Sequence, residues 1–326
     1  ILTIGMGFLL SILFGRYLGA EKLGQYSAGQ ALVGILGIFT NFGIVSIMAR
    51  EIAKSKHKTA LYLGNALGIK LIMSFPLLIF TTFVISELLG YNAETIYIIF
   101  LLLIYNSLTT AIGYIASAQR SLHRNDLVLV VNLINKTSSL LLSYILLKKG
   151  LSLEYVLYVF IVISFICSLL AFYQTKRIDR RLSIQFNWRF NKRFIYVSFP
   201  LIMAAAAEFA NLKLDSVIIL SILDETYAGI YSAGYNFYIA ATILPVALTK
   251  VYFPNFIDYL TLNRDKAFNL FFQYLKYFSL YGTISMIVLI LLAEYLIKFT
   301  YGIEFNESII LIRILAPSVL VLILNR

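Results

Sequence analysis

The sequence predicts an all-α integral membrane protein arranged as two helical bundles, on three observations: its composition, the length of its apolar runs, and an internal repeat. Hydrophobic residues make up 60% of the 326 residues and charged residues 13%, against roughly half and a quarter in soluble domains. The apolar residues gather into runs of about 20 or more, the length that crosses a bilayer core of about 30 Å as a helix. A membrane strand would show as short alternating segments closing into a barrel, and no stretch of this chain alternates in that way.

Ten hydrophobic segments follow in chain order, at 1–18, 25–48, 60–86, 95–118, 126–147, 153–175, 194–221, 227–254, 267–293 and 306–325. Each is long enough to span, and each is bounded by short polar connections. The longest hydrophilic connection runs only from Lys176 to Arg193, which leaves no room for an extramembrane catalytic domain. His57 and His123 fall in loops with no nucleophile or paired carboxylates beside them, and Cys167 is alone in the middle of a segment. That pattern gives no disulfide framework and no metal-ligand spacing. Neither an enzyme, a metal nor a cofactor is expected. Ile1 opens within an apolar run and Arg326 closes directly after another, so the chain reads as part of a longer protein with C-terminal helices missing.

A net charge of +11 raises the question of nucleic acid. The placement of the charge answers it, because Lys and Arg concentrate in alternate short loops, the pattern of cytoplasmic loops in multi-pass membrane proteins. One set holds Arg50, Lys54, Lys56, Lys58, Arg120, Arg124, Lys176, Arg177, Arg180, Arg181, Arg189, Lys192, Arg193, Arg264, Lys266 and Arg326. The opposite set holds only Arg16, Lys22, Lys148, Lys149 and Lys298. The richer set is expected in the cytoplasm, which puts the N-terminal end there too and the chain in the cell (inner or plasma) membrane. No nucleic-acid partner is expected.

All five prolines, Pro76, Pro200, Pro245, Pro254 and Pro317, lie within apolar segments. Membrane helices tolerate proline because neighbours and water satisfy the freed backbone groups. Two readings stand: fixed kinks that aid packing, and bending points used in motion.

The repeat is short and specific. Gly24-Gln25-Tyr26-Ser27-Ala28-Gly29 returns as Gly229-Ile230-Tyr231-Ser232-Ala233-Gly234, five of six residues alike at an offset of 205, and Leu18 pairs with Leu223 at the same offset. Each copy sits where one segment turns into the next, the first into the second and the seventh into the eighth. An even number of segments separates them, so both copies share one orientation. Two parallel lobes related by an axis along the membrane normal are implied: residues 1–175 with six helices, a basic cytoplasmic linker at 176–193, and residues 194–326 with four.

The run GRYLGAEKLGQYSAGQ from Gly15, followed by NFGIVSIMAREIA from Asn41, resembles the start of polysaccharide (O-antigen type) flippases, which belong to the multidrug/oligosaccharidyl-lipid/polysaccharide exporter superfamily. FPLI at Phe199 and LDSVIILSILDETYAGIYSAG from Leu214 are similar to the start of that family's second lobe. The resemblance spans the whole chain and implies two lobes around a central cavity, with twelve or more helices in the complete transporter. It further implies translocation of a polyprenyl-pyrophosphate-linked oligosaccharide from the cytoplasmic to the outer leaflet by alternating access. Its partners would be lipid-linked oligosaccharide, membrane lipids, and H⁺ or Na⁺ as coupling ion.

The residues supply their own indications. Asn132, Asn135, Lys136, Ser139 and Ser143 fall on one side of the fifth segment. Asn106, Thr109, Thr110, Gly113, Ser117 and Arg120 do so on the fourth, and Ser27, Gln30, Gly34, Gly37 and Asn41 on the second. Polar faces of this kind point into a bundle or a wet cavity, either as interhelical hydrogen bonding or as a lining. Lys70 and Lys136 lie near mid-span, where a lysine hardly reaches an interface, and the first lobe offers no evident buried acid to pair with them. With Arg16, Lys213, Asn132 and Asn135 they form a candidate cavity site for an anionic headgroup, the alternative being structural ion pairs or a neutral lysine. Tyr231, Tyr235 and Tyr238 line one face of the eighth segment and suit sugar contact or simple packing. Glu208 and Asp215 share a face of the seventh and are candidates for ion coupling. They also sustain a competing reading, a multidrug or cation antiporter of the same superfamily.

The charge pattern makes one direct prediction. A cysteine at Ser183, in a Cys167→Ala background, is expected to resist membrane-impermeant thiol reagents in intact cells. Ready labelling from outside would reverse the orientation.

Overall fold

The computed structural model describes residues 2–41, 43–80 and 90–324. Ten α-helices cover them, with no strand among the described residues. They are α1 (Leu2–Asn41), α2 (Ile44–Lys54), α3 (Thr59–Phe80), α4 (Ala93–Ser121) and α5 (Asn125–Lys148), then α6 (Leu153–Ile178), α7 (Trp188–Ile222), α8 (Glu225–Leu262), α9 (Arg264–Thr300) and α10 (Glu307–Leu324). Among the described residues α4, α5, α6, α9 and α10 are each long and apolar enough to cross a bilayer. The protein is an all-α, multi-pass membrane protein.

The elements depart from the expected segments in three places. The first segment and the second as far as Asn41 form one helical run, α1, broken at Gly19, whose φ of 82° and ψ of −178° are non-helical, while Ile44–Met48 of the second belong to α2. Arg50 and Lys54, expected in a loop, are instead carried by α2. That helix is amphipathic, with Ile44, Met48 and Ile52 buried at successive turns, and Glu51 on it accepts from Lys54 (3.0 Å) and Lys58 (3.2 Å). These hydrogen bonds hold the Glu51 carboxyl below its usual range. The connection expected at 176–193 is shorter than its composition suggests. Lys176 and Arg177 end α6, while Arg189, Lys192 and Arg193 lie in the first turns of α7. The expected third segment runs to residue 86, of which 81–86 lie outside the described residues.

The chain forms two compact units, and they do not follow chain order. One comprises residues 1–23 with 229–326, the other residues 24–228. The breaks follow Leu23 and Ala228, which are repeat-equivalent positions at the offset of 205. The leading helix of each expected lobe therefore packs in the unit built mainly from the other lobe.

In the unit of 24–228, a core of Met48, Ile52, Leu63, Leu67, Tyr114, Ile115, Val131, Cys167 and Phe194 joins α2 to α7. Gln119 of α4 donates to Thr175 Oγ1 of α6 at 3.0 Å within it. The connection between α6 and α7 is laid along α3 in an extended form. Gln185 N–H donates to the Gly64 carbonyl (3.1 Å), Asn187 N–H to Asn65 Oδ1 (2.8 Å), and Leu182 is buried. The approach is close because Gly64 and Gly68 lie one turn apart on α3. A Cβ on Gly64 would overlap the Ser183 carbonyl, and one on Gly68 the Gln185 carbonyl.

In the other unit, the part of α1 before Gly19 packs on α8 and on the end of α9. The Tyr301 ring lies against Gly15, where a side chain would overlap it. Ser11 Oγ shares hydrogen bonds with Tyr301 Oη (2.9 Å) and with Asn236, whose Nδ2 donates to it at 2.6 Å. Between α9 and α10, Gly282 admits Leu320, which would stand 2.8 Å from an added Cβ.

Gly68→Val is expected to displace the 182–187 connection at a cost typical of overpacking, about 1–3 kcal/mol. The readouts are a lowered thermal transition in detergent and faster proteolysis between Leu182 and Asn187. Unchanged protease resistance would show that this contact does not hold the connection.

Candidate functional site

In the unit of 24–228, α1 and α4 run side by side in one direction. Gln25 Nε2 donates to Thr95 Oγ1 (3.1 Å), and Gly29 lies against Ile99 and Leu102. Further along, α1 carries Gln30 and Gly34, and α4 carries Asn106, Thr109 and Thr110. All of these residues are half-exposed, and an added Cβ on Gly113 would meet open space. Among the described residues their hydrogen bonds stay within their own helices. Thr109 Oγ1 donates to the Asn106 carbonyl (3.1 Å), Thr110 Oγ1 to Asn106 Oδ1 (3.4 Å), and Gln30 Nε2 to Tyr26 Oη (3.3 Å). Asn41, at the end of the α1 stripe, has its side chain outside the described residues.

The stripe on α5 divides. Asn135, Ser139 and Ser143 are buried; Asn135 Nδ2 donates to Ser164 Oγ of α6 at 3.2 Å, and Ser143 Oγ to the Ser139 carbonyl at 2.6 Å. This is helix-to-helix hydrogen bonding of the kind small polar residues supply in membranes. Asn132 and Lys136 stand on the flank of that face and are half-exposed. Lys136 makes no hydrogen bond or ion pair among the described residues. Lys70, on α3, is 3% exposed, with Ser74 Oγ donating to its carbonyl at 2.6 Å.

The remaining candidates are dispersed. Asp215 is half-buried and accepts from Ser216 N–H at 2.7 Å. Glu208 and Lys213 lie on α7 with side chains outside the described residues. Arg16 belongs to the other unit, is exposed, and donates through Nη1 to the Phe299 carbonyl at 3.1 Å. There it serves a carbonyl of the last turn of α9, a place that suits a cation.

Tyr231, Tyr235 and Tyr238 form a continuous ladder on α8. The first two rings stack with centroids 5.6 Å apart, and the second pair stand 5.4 Å apart. Further along α8, Tyr252 packs on Tyr274 of α9 at 4.4 Å, between two cavities of about 210 and 360 Å³. Both are lined by Tyr252, Tyr274 and Phe278. Tyr281 Oη donates to the Ala241 carbonyl (2.9 Å) and ties α9 to α8 there. Sequence reasoning missed the α9 partners. Phe271, Tyr274 and Phe278, spaced three and four apart, were the available signal.

Half-exposed polar side chains on α1 and α4, and a half-exposed lysine midway along α5, are what this unit of an all-α membrane protein brings to the candidate site. The family described as polysaccharide biosynthesis protein matches residues 1–260, and the chain belongs to that family. No curated protein matches it. Among solved structures it is similar to the inward-facing conformation of a multidrug resistance MATE family transporter of the MOP superfamily. That match has a TM-score of 0.69 and 16% identity, and covers 99% of this chain and 78% of that one. At that identity the likeness establishes the fold.

The division of the α5 stripe can be tested directly. In a Cys167→Ala background, cysteines at Thr110, Gly113 and Lys136 are expected to react with water-soluble thiol reagents in permeabilised membranes, at least tenfold faster than cysteines at Ser139 and Ser143. Equal rates across the five positions would remove the distinction between a wet and a packed face.

Proposed function

We propose that the protein carries a lipid-linked oligosaccharide with an anionic, pyrophosphate-type headgroup from the cytoplasmic to the outer leaflet by alternating access. The observation that carries this reading is Lys136, a half-exposed lysine in the middle of a membrane helix with no carboxylate partner among the described residues. Membership of the polysaccharide biosynthesis family supports it, as does a fold shared with a transporter.

The chemistry follows from solvation. A diphosphate that enters a bilayer loses its hydration, and fixed donors must replace the lost water. Asn132, one turn before Lys136, and the amide and hydroxyls of Asn106, Thr109 and Thr110 supply neutral donors and acceptors for sugar hydroxyls, while Lys136 supplies the charge. At an effective dielectric near 20, a unit charge pair about 4 Å apart attracts by roughly 4 kcal/mol before desolvation. Lys70 adds a second cation from α3. The headgroup would leave most easily if no single contact is too strong, which favours several neutral donors and few charges. Asp215 and Glu208 remain the candidates for coupling to H⁺ or Na⁺.

Lys136→Gln keeps polarity and approximate length while removing the charge, and Lys136→Arg keeps the charge. Gln is expected to reduce flipping of a polyprenyl-pyrophosphate-linked sugar in proteoliposomes by at least tenfold at normal abundance, with Arg within about threefold of the parent. Normal flipping with Gln would falsify the headgroup role.

A further inference from the structure

The first turns of α7 are apolar toward the protein and basic toward its surroundings. On the inner side, Phe190 and Phe194 stand edge-on to Tyr62 of α3, with ring centroids 5.0 and 5.6 Å apart. On the outer side, Arg189, Lys192, Tyr196 and Phe199 follow one another at helical spacing, which sets all four within about 80° on a helix. With Ile195 they line one open cleft of about 610 Å³. All four are exposed, Tyr196 by 81%.

Neither cation of the cleft is answered by an acid. Arg189 and Lys192 make no hydrogen bond or ion pair among the described residues. The sequence holds no Asp or Glu from Arg180 to Ala207, and Asp179 is engaged by Arg181 at 3.0 Å. The elements beside the start of α7 add none. Helix α3 carries no acidic residue, and Glu51 of α2 already accepts from Lys54 and Lys58.

We propose that this cleft binds an anionic phospholipid of the phosphatidylglycerol type, with its phosphate between Arg189 and Lys192 and one acyl chain along Tyr196 and Phe199. The order of the residues matches the molecule. The cations come just before the apolar run that begins at Phe194, and Phe199 lies about 10 Å further along the helix than Lys192. A phospholipid passes from charge to hydrocarbon in the same direction. A free phosphate would engage the cations and leave the aromatic half of the cleft bare, and an uncharged lipid would do the reverse. Trp188, 62% exposed and 6.2 Å from the Phe186 ring, marks the depth, because tryptophan favours the headgroup level of a bilayer. Basic side chains at a membrane surface gain from anionic lipid, and here one helix presents two of them at a set spacing beside an apolar wall. The bound lipid ties the start of α7 to the headgroup layer. The cleft lies wholly within the unit of 24–228, and it requires a membrane around the chain but no particular cargo or orientation.

The chain carries its own reporter, since Trp188 is its one tryptophan. In nanodiscs of phosphatidylcholine holding the full chain, Trp188 fluorescence is followed as brominated phosphatidylglycerol or brominated phosphatidylcholine replaces part of the lipid. Half-maximal quenching is expected at a mole fraction at least fivefold lower for the anionic lipid. Arg189→Gln with Lys192→Gln is expected to bring the two lipids within twofold, and Arg189→Gln alone to fall between. Lys148→Gln with Lys149→Gln, which removes two exposed cations elsewhere, is expected to leave the preference unchanged. Equal quenching by the two lipids in the parent chain overturns the proposal without recourse to any variant. A preference that survives in the folded double variant overturns it too. So does recovery of fluorescence when polyprenyl pyrophosphate equimolar with the brominated phosphatidylglycerol is added, which would assign the cleft to a polyprenyl lipid instead.

Discussion

A helix end or break leaves backbone amides without an intrahelical partner, and the places where this chain changes direction supply that partner from side chains. At the break in α1 the freed Ala20 N–H is taken by Glu304. Where α7 gives way to α8, Asp224 Oδ1 accepts from Tyr227 N–H at 2.9 Å. Asn92, Asn187 and Asn263 cap α4, α7 and α9 through Thr95, Phe190 and Lys266. Side-chain caps of this type are worth about 1 kcal/mol. They fix where each helix starts, and so which face each presents to its neighbours.

Close approach is the second condition, and glycine supplies it. Without the apolar drive that water provides, membrane helices associate through dispersion and hydrogen bonds at short range. Gly29 and Gly234 admit leucines, Gly15 admits a tyrosine ring, and Gly64 with Gly68 admits a strand of backbone. The repeat contains no charged residue, and its meaning is steric. The glycines of its two copies share both position and role.

The helices and the repeat were legible because hydrophobic length and a five-in-six match are local properties of the chain. Helix α2 was not, since its three buried residues are spaced for a helix lying on a core while its basic residues read as loop. The exchange of leading helices was hidden because packing partners separated by some two hundred residues leave no mark in either sequence. At the candidate site, Asn135 and Lys136 are adjacent in the chain and about 100° apart on the helix. That rotation separates a residue packed on Ser164 from one on the half-exposed flank, and residue type alone does not reveal it. Glu304 looks like an ordinary loop acid in the sequence; only the break at Gly19 gives it something to hold.

The exchange of leading helices bears on how the protein is made. Residues 1–23 leave the ribosome some two hundred residues ahead of the residues they pack against, 229–326. At about 5–20 residues per second, the first helix would wait on the order of 10–40 s for its partners. During that time Gly15 and Ser11 face lipid or whatever chaperone is present, and the Ala20 amide lacks its carboxylate. The second leading helix, α7, meets no such delay, because α1 after Gly24 and α4 are already in the membrane when it arrives. Two hairpins alike in sequence and in packing thus have opposite histories during biosynthesis. Quality control of this protein should therefore turn on the fate of α1 more than on that of α7.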